Sequence, residues 1–134
     1  LKSNSEKKLV IVGDVPYNDN YSSKIKNIKD CRIVLTGYVK DSKTLYQLYK
    51  NCYAYVHGHE FGGTNPTMIK ALSFGTAILA LNTPFNREML QYDKFGLFFE
   101  KNSDSIRDLI IYSENNYYEI NLLKNQPLST LIRK

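Results

Sequence analysis
Side chains and backbone that can do chemistry are concentrated in one stretch, where His57, His59 and Glu60 are followed at once by Gly62-Gly63-Thr64-Asn65-Pro66. The run from Ala54 to His57 is β-branched and aromatic, which suits a short strand. Pro66 fits a first helical position and Gly75 a position just past a helix end, so the spacing predicts an apolar-periodic helix that Pro66 opens and Gly75 closes. Strand, glycine loop and helix in that order place the amides of Gly62, Gly63, Thr64 and Asn65 at the positive end of a helix dipole. With no side chain at Gly62 or Gly63 to block approach, a phosphate or diphosphate is the natural occupant. His57 and His59 would share a face of an extended strand and could join Glu60 around a metal. No further ligand and no supporting residues around these three are evident, so no metal and no other cofactor is expected. Asp14 lacks the paired acidic residues that a phosphate-accepting aspartate needs.

The elements that would position this loop are regular. Apolar runs start near Lys8, Arg32, Ala54, Thr76 and Phe95, a spacing that leaves room for one helix between each pair. Near-continuous hydrophobicity suits strands buried on both faces, hence a parallel sheet with helices on both faces and right-handed crossovers. Leu45, Leu48, Tyr49 and Cys52 form one helical stripe after Asp41-Ser42, and Ile106, Leu109 and Ile110 form another after Ser103. Thr83 and Pro84 open a short helix through Leu90, with Asn86, Arg87 and Glu88 read as surface and capping residues. The stretch from Asn115 to Lys134 reads as a helical tail broken at Gln126-Pro127, with a last turn at Leu128 to Ile132.

Composition narrows the class. With 134 residues and 43% hydrophobic content, the chain is a single domain, 1–134. Its 18 basic and 13 acidic residues give a formal charge of +5. They are scattered, and most tyrosines lie inside apolar stripes, so no nucleic-acid partner is expected. A mild attraction to an anionic membrane surface fits the charge. No apolar run approaches a membrane span. Cys31 and Cys52 lack metal or redox spacing and read as reduced thiols of a cytoplasmic protein.

In an open parallel sheet, ligands bind beyond the carboxyl ends of the strands. Those ends carry Gly13-Asp14, Gly37-Tyr38-Val39, His57 to Asn65, and Asn82-Thr83. Gly13 and Gly37 leave room for close approach, Tyr38 offers a ring face for a base, and the glycine loop offers amides for a diphosphate, a set that fits a nucleotide. Val12-Gly13-Asp14-Val15-Pro16 has one glycine where dinucleotide-binding folds need three, and no P-loop is present. Hydride transfer and ATP hydrolysis are thereby disfavoured.

Lys8 to Asp14, Val34 to Val39, Leu45 to Cys52, Gly62 to Thr67 and Ala71 to Gly75 together resemble the carboxy-terminal, donor-binding domain of family 4 retaining glycosyltransferases. The likeness runs over residues 8 to 112. Within that family, the Gly-Gly-Thr-Asn-Pro loop and Asn82-Thr83-Pro84-Phe85-Asn86-Arg87-Glu88 look most like rhamnosyltransferase-type bacterial enzymes of surface polysaccharide synthesis. The resemblance implies one Rossmann-like half of a GT-B enzyme, working in the cytoplasm or at the inner membrane face. Its donor would be a UDP-, dTDP- or GDP-sugar.

In this scheme Gly13, Gly37, Tyr38 and Val39 flank the base. Gly62, Gly63, Thr64 and Asn65 meet the diphosphate and sugar, and Glu60 or the backbone beside it orients the donor sugar as the catalytic carboxylate. The family's ribose-binding glutamate is replaced by Lys70, and its partner position eight residues upstream is Gly62. The Arg and Lys that usually grip the diphosphate lie upstream of Leu1. The resemblance thus implies that the chain is cut at both ends, lacks the amino-terminal acceptor domain, and binds without turnover by itself. Two other functions share the architecture: a non-catalytic domain that has lost nucleotide binding, and half of a sugar-nucleotide epimerase.

Overall fold
The computed structural model describes residues 2–14, 20–124 and 126. Five parallel strands alternate with helices in the order β1 (Leu9–Val12), α1 (Asn20–Lys26), β2 (Ile33–Gly37), α2 (Ser42–Asn51), β3 (Tyr55–His57), α3 (Pro66–Ser73), β4 (Ile78–Leu81), α4 (Pro84–Met89), β5 (Gly96–Phe99), α5 (Ser103–Asn115) and α6 (Tyr117–Leu123). All strand pairs within the sheets are parallel, as the spacing of the apolar runs requires.

The core is built around β4, in which every residue is buried. Alternation along a strand sends successive side chains to opposite faces. Ile78 and Ala80 accordingly pack with Met68 and Ala71 of α3 and with Leu90 and Phe95, whereas Ala77 and Leu79 pack with Ile120 and Leu123 of α6. Helices therefore cover both faces of β4. Full burial of each large aliphatic side chain here contributes about 1.5–3 kcal/mol relative to exposure.

The strands fall into two sheets, β1-β2 and β3-β4-β5, where the sequence pattern suggests one. Burial differs accordingly. Leu9, Val10, Val12 and Leu35 stay largely exposed although their runs are as apolar as that of β4. Among the described residues, α1 buries only Ser22, so no helix provides β1 and β2 with the apolar cover that α3 and α6 provide for β4. Hydrophobic runs mark strands, but what lies over them decides whether they are buried.

Local signals set the helix ends. Asp41 caps α2 by accepting from the amides of Lys43 and Thr44, Thr83 caps α4 through Asn86, and Asn102 caps α5 through Ser105. Pro66 opens α3. Its far end closes on Gly75, whose φ of +68° lets the Gly75 and Thr76 amides turn back to the carbonyls of Leu72 and Ala71. The expected tail is helical through α6, while its last turn at 128–132 lies outside the described residues.

Candidate functional site
The loop from Gly58 to Asn65 leaves the carboxyl end of β3 and feeds α3. Asn65 is the N-cap: its Oδ1 accepts from the Thr67 amide at 3.0 Å and from the Thr67 hydroxyl at 2.5 Å. The Asn65 side chain is thus committed to the helix, and its amide meets only the weak acceptor Sδ of Met89 at 3.5 Å. Gly62 has a φ of +98°, a conformation glycine tolerates best. Among the described residues, no protein group accepts from the amides of Gly62, Gly63 or Thr64, and all three residues are exposed. Open space surrounds the position a Cβ of Gly63 would take.

Two contacts from distant segments hold this loop. The buried Asn86 donates through Nδ2 to the carbonyl of His59 at 3.0 Å and to that of Leu81 at 2.9 Å, joining the loop to the end of β4. Glu60, the expected catalytic carboxylate, is ion-paired with Lys101 at 2.5 Å, with the lysine far more exposed than the glutamate. Beside them, Arg87 donates to Asn82 Oδ1, Asn82 donates to Glu100, and the Arg87 guanidinium lies 4.6 Å from the Phe98 ring centre. The sequence reading missed the role of Asn86. The signal available was its place three residues after the Thr83 cap, the second position of a capping box. Here its amide completes the cap while its side chain reaches elsewhere.

A second group sits at the carboxyl ends of β1 and β2. Gly13 donates its amide to the Gly37 carbonyl at 2.9 Å, which brings these two glycines together. Tyr38, just beyond, is 78% exposed and free to offer its ring, while Val39 is half-buried. Lys70 is an exposed residue in the last turn of α3.

His57 ends β3 and is buried. Burial pushes its imidazole pKa below the usual histidine value, and the nearby His59 adds to the shift. Its Nδ1 faces the Tyr55 hydroxyl at 3.4 Å, whereas Nε2 is buried with no hydrogen-bond partner among the described residues. No group of three or more His, Cys, Asp and Glu among the described residues could hold a metal ion. What the loop offers is unclaimed amides at a helix start, one carboxylate and one neutral imidazole. That set can bind an anion and orient a polyol, and it places no nucleophile beside a base.

Among the described residues, no helix is long and apolar enough to cross a membrane. A search among curated proteins finds no match to the chain. The family model for glycosyl transferases group 1 matches residues 1–126.

Proposed function
Because the chain belongs to the glycosyl transferases of group 1, we propose that it is the donor half of a retaining enzyme and that the loop ahead of α3 receives the donor diphosphate. The unclaimed amides of Gly62, Gly63 and Thr64 carry this reading. During transfer the bond from the anomeric carbon to the diphosphate oxygen breaks, and the leaving group takes the bonding electrons. A new bond then forms to the acceptor oxygen on the same face of the sugar, and the acceptor gives up its proton. Amides at the start of α3 stabilise the charge that develops on the leaving oxygens, the office a metal ion performs elsewhere.

Glu60 orients the sugar, and Gly13, Gly37, Tyr38 and Val39 hold the base. The acceptor and the group that takes its proton belong to a second domain, so these residues bind without turnover unless that domain is supplied. The Gly-Gly-Thr-Asn-Pro loop and the Asn82 to Glu88 segment support a hexosyl or rhamnosyl donor used in bacterial surface polysaccharide synthesis, at the cytoplasmic side of the membrane. The nucleotide is UDP, dTDP or GDP.

Lys70 favours one other reading, a domain of the same fold that has lost its nucleotide. Chemical-shift titration of the 134-residue chain with UDP, dTDP and GDP separates the two. Shifts at Gly13, Tyr38 and Gly62 to Lys70 are expected, with dissociation near millimolar, about 4 kcal/mol. Silence at those residues with all three nucleotides at several millimolar would favour the non-binding domain.

A further inference from the structure
The hydrogen bonds around His57 run in one direction. Asn65 Oδ1 accepts from the Thr67 amide, which fixes it as the oxygen of the side-chain amide and therefore as an acceptor only. The Thr67 hydroxyl, 2.5 Å away, must then donate its single proton to Asn65. Thr67 Oγ1 is left to accept from the Tyr55 hydroxyl at 3.2 Å. With its proton spent on Thr67, the Tyr55 oxygen can only accept from His57, across the longest link of the series at 3.4 Å. His57 is therefore the Nδ1–H tautomer, and its Nε2 carries a bare lone pair. That nitrogen is fully buried without a donor in reach among the described residues. A buried acceptor left unmet on a ring held through its other nitrogen is costly, so a missing partner is the economical explanation.

We propose that Nε2 of His57 is the acceptor for a hydroxyl of the sugar being transferred, held in that role by the chain of hydrogen bonds that begins at the N-cap of α3. The inference rests on the donor-binding reading above. A phosphate oxygen bears no proton at neutral pH and would be repelled by the lone pair, so the partner must be an O–H or N–H. His57 lies where β3 enters the loop with the unclaimed amides, beside the place assigned to the diphosphate, whereas the base is assigned to the ends of β1 and β2. The hydroxyl-rich part of the ligand on that side is the sugar. Between the two stands an exposed neighbour: the ring of His59 lies 6.0 Å from that of His57, and its Nε2 is 3.9 Å from the position of a Cβ on Gly62. That exposed ring is free to turn about its own side-chain bonds, and the inference requires that a hydroxyl reach Nε2 past it.

The test is long-range proton–nitrogen correlation of the imidazoles in the full 134-residue chain, free and with UDP, UDP-glucose, dTDP, dTDP-rhamnose, GDP and GDP-mannose. The free protein is expected to show His57 Nδ1 protonated and Nε2 bare. At least one nucleotide sugar is expected to move the Nε2 resonance toward its hydrogen-bonded value and to bind about fivefold tighter than its parent diphosphate, the scale of one hydrogen bond. His57→Phe, similar in shape without an acceptor, is expected to erase that preference. A protonated Nε2 in the free protein overturns the inference without use of any variant. A nucleotide sugar that binds while Nε2 stays unmoved also overturns it and leaves the donor-binding reading standing. Bare diphosphates that move Nε2 equally overturn it in favour of a ribose or base contact. Failure of all six ligands to bind removes both the inference and the reading beneath it.

Discussion
Replacing Asn86 examines how the loop ahead of α3 is held. The residue is 4% exposed, and its side-chain amide is the donor for the carbonyls of Leu81 and His59. In Asn86→Ala the Leu81 carbonyl, at the end of the buried β4, loses a donor, a change worth about 1–3 kcal/mol. The His59 carbonyl recovers water because His59 is exposed, so its loss is nearer 0.5–1 kcal/mol. The sum is about 1.5–4 kcal/mol. A chain of 134 residues loses about 3–4 °C of melting temperature per kcal/mol, so a fall of about 5–16 °C is expected in thermal unfolding. Asn86→Asp sharpens the experiment because it keeps the shape and replaces the donor with an oxygen facing two carbonyls. It should be less stable at neutral pH than the alanine variant, although alanine removes more atoms. The folded-state pKa of this new carboxyl must be raised, so its protonated form, which can donate to one carbonyl, regains stability below about pH 4 and loses it as pH rises through the folded value. An aspartate variant that melts with the wild type at neutral pH would refute the assignment of Asn86 as the anchor of the loop.

Four other outcomes follow from the same geometry. Gly75→Val should lower the melting temperature by several degrees, since a left-handed conformation costs a residue with a side chain about 1–2 kcal/mol. Gly63→Val, facing open space, should melt as wild type and abolish nucleotide-induced shifts; normal binding there would make the loop a plain turn. Lys70→Glu adds an acceptor for ribose hydroxyls and should tighten binding of the bare nucleoside by roughly 1 kcal/mol, whereas weaker diphosphate binding with the nucleoside untouched would place Lys70 at the phosphates. Because burial lowers the His57 pKa from 6.5, the unfolded chain takes up this proton before the folded one. Stability present above pH 6.5 should fall as pH drops toward the folded value, and His57→Gln should flatten that slope in thermal melts; an unchanged slope would assign it to another group.

The parts of the fold that were legible beforehand are those written in neighbouring residues. Pro66 before an apolar stripe, Gly75 after it, and Thr83 before Pro84 each state a helix end within a few positions, and the ends lie there. The apportioning of strands between two sheets was not legible, because Leu9 and Leu79 belong to equally apolar runs and differ only in what the rest of the chain lays over them. The same holds within the site. Glycines at 62 and 63 announce themselves, but the ties from Asn86 to His59 and from Lys101 to Glu60 join residues 27 and 41 positions apart, which no local pattern encodes.

Asn65 shows how the local and the distant levels join. Its amide is expected from the sequence to meet a diphosphate; in the structure its side chain caps the helix and also terminates the chain of bonds from Thr67 through Tyr55 to His57. One oxygen thereby orders the first turn of α3 and sets which nitrogen of a buried histidine bears the proton. The amides of Gly62, Gly63 and Thr64 remain for an anion, and the bare nitrogen of His57 remains for a donor of the opposite kind. A ligand that satisfies both must carry negative oxygens and hydroxyl protons close together, a requirement that a glycosyl diphosphate meets and an isolated phosphate does not.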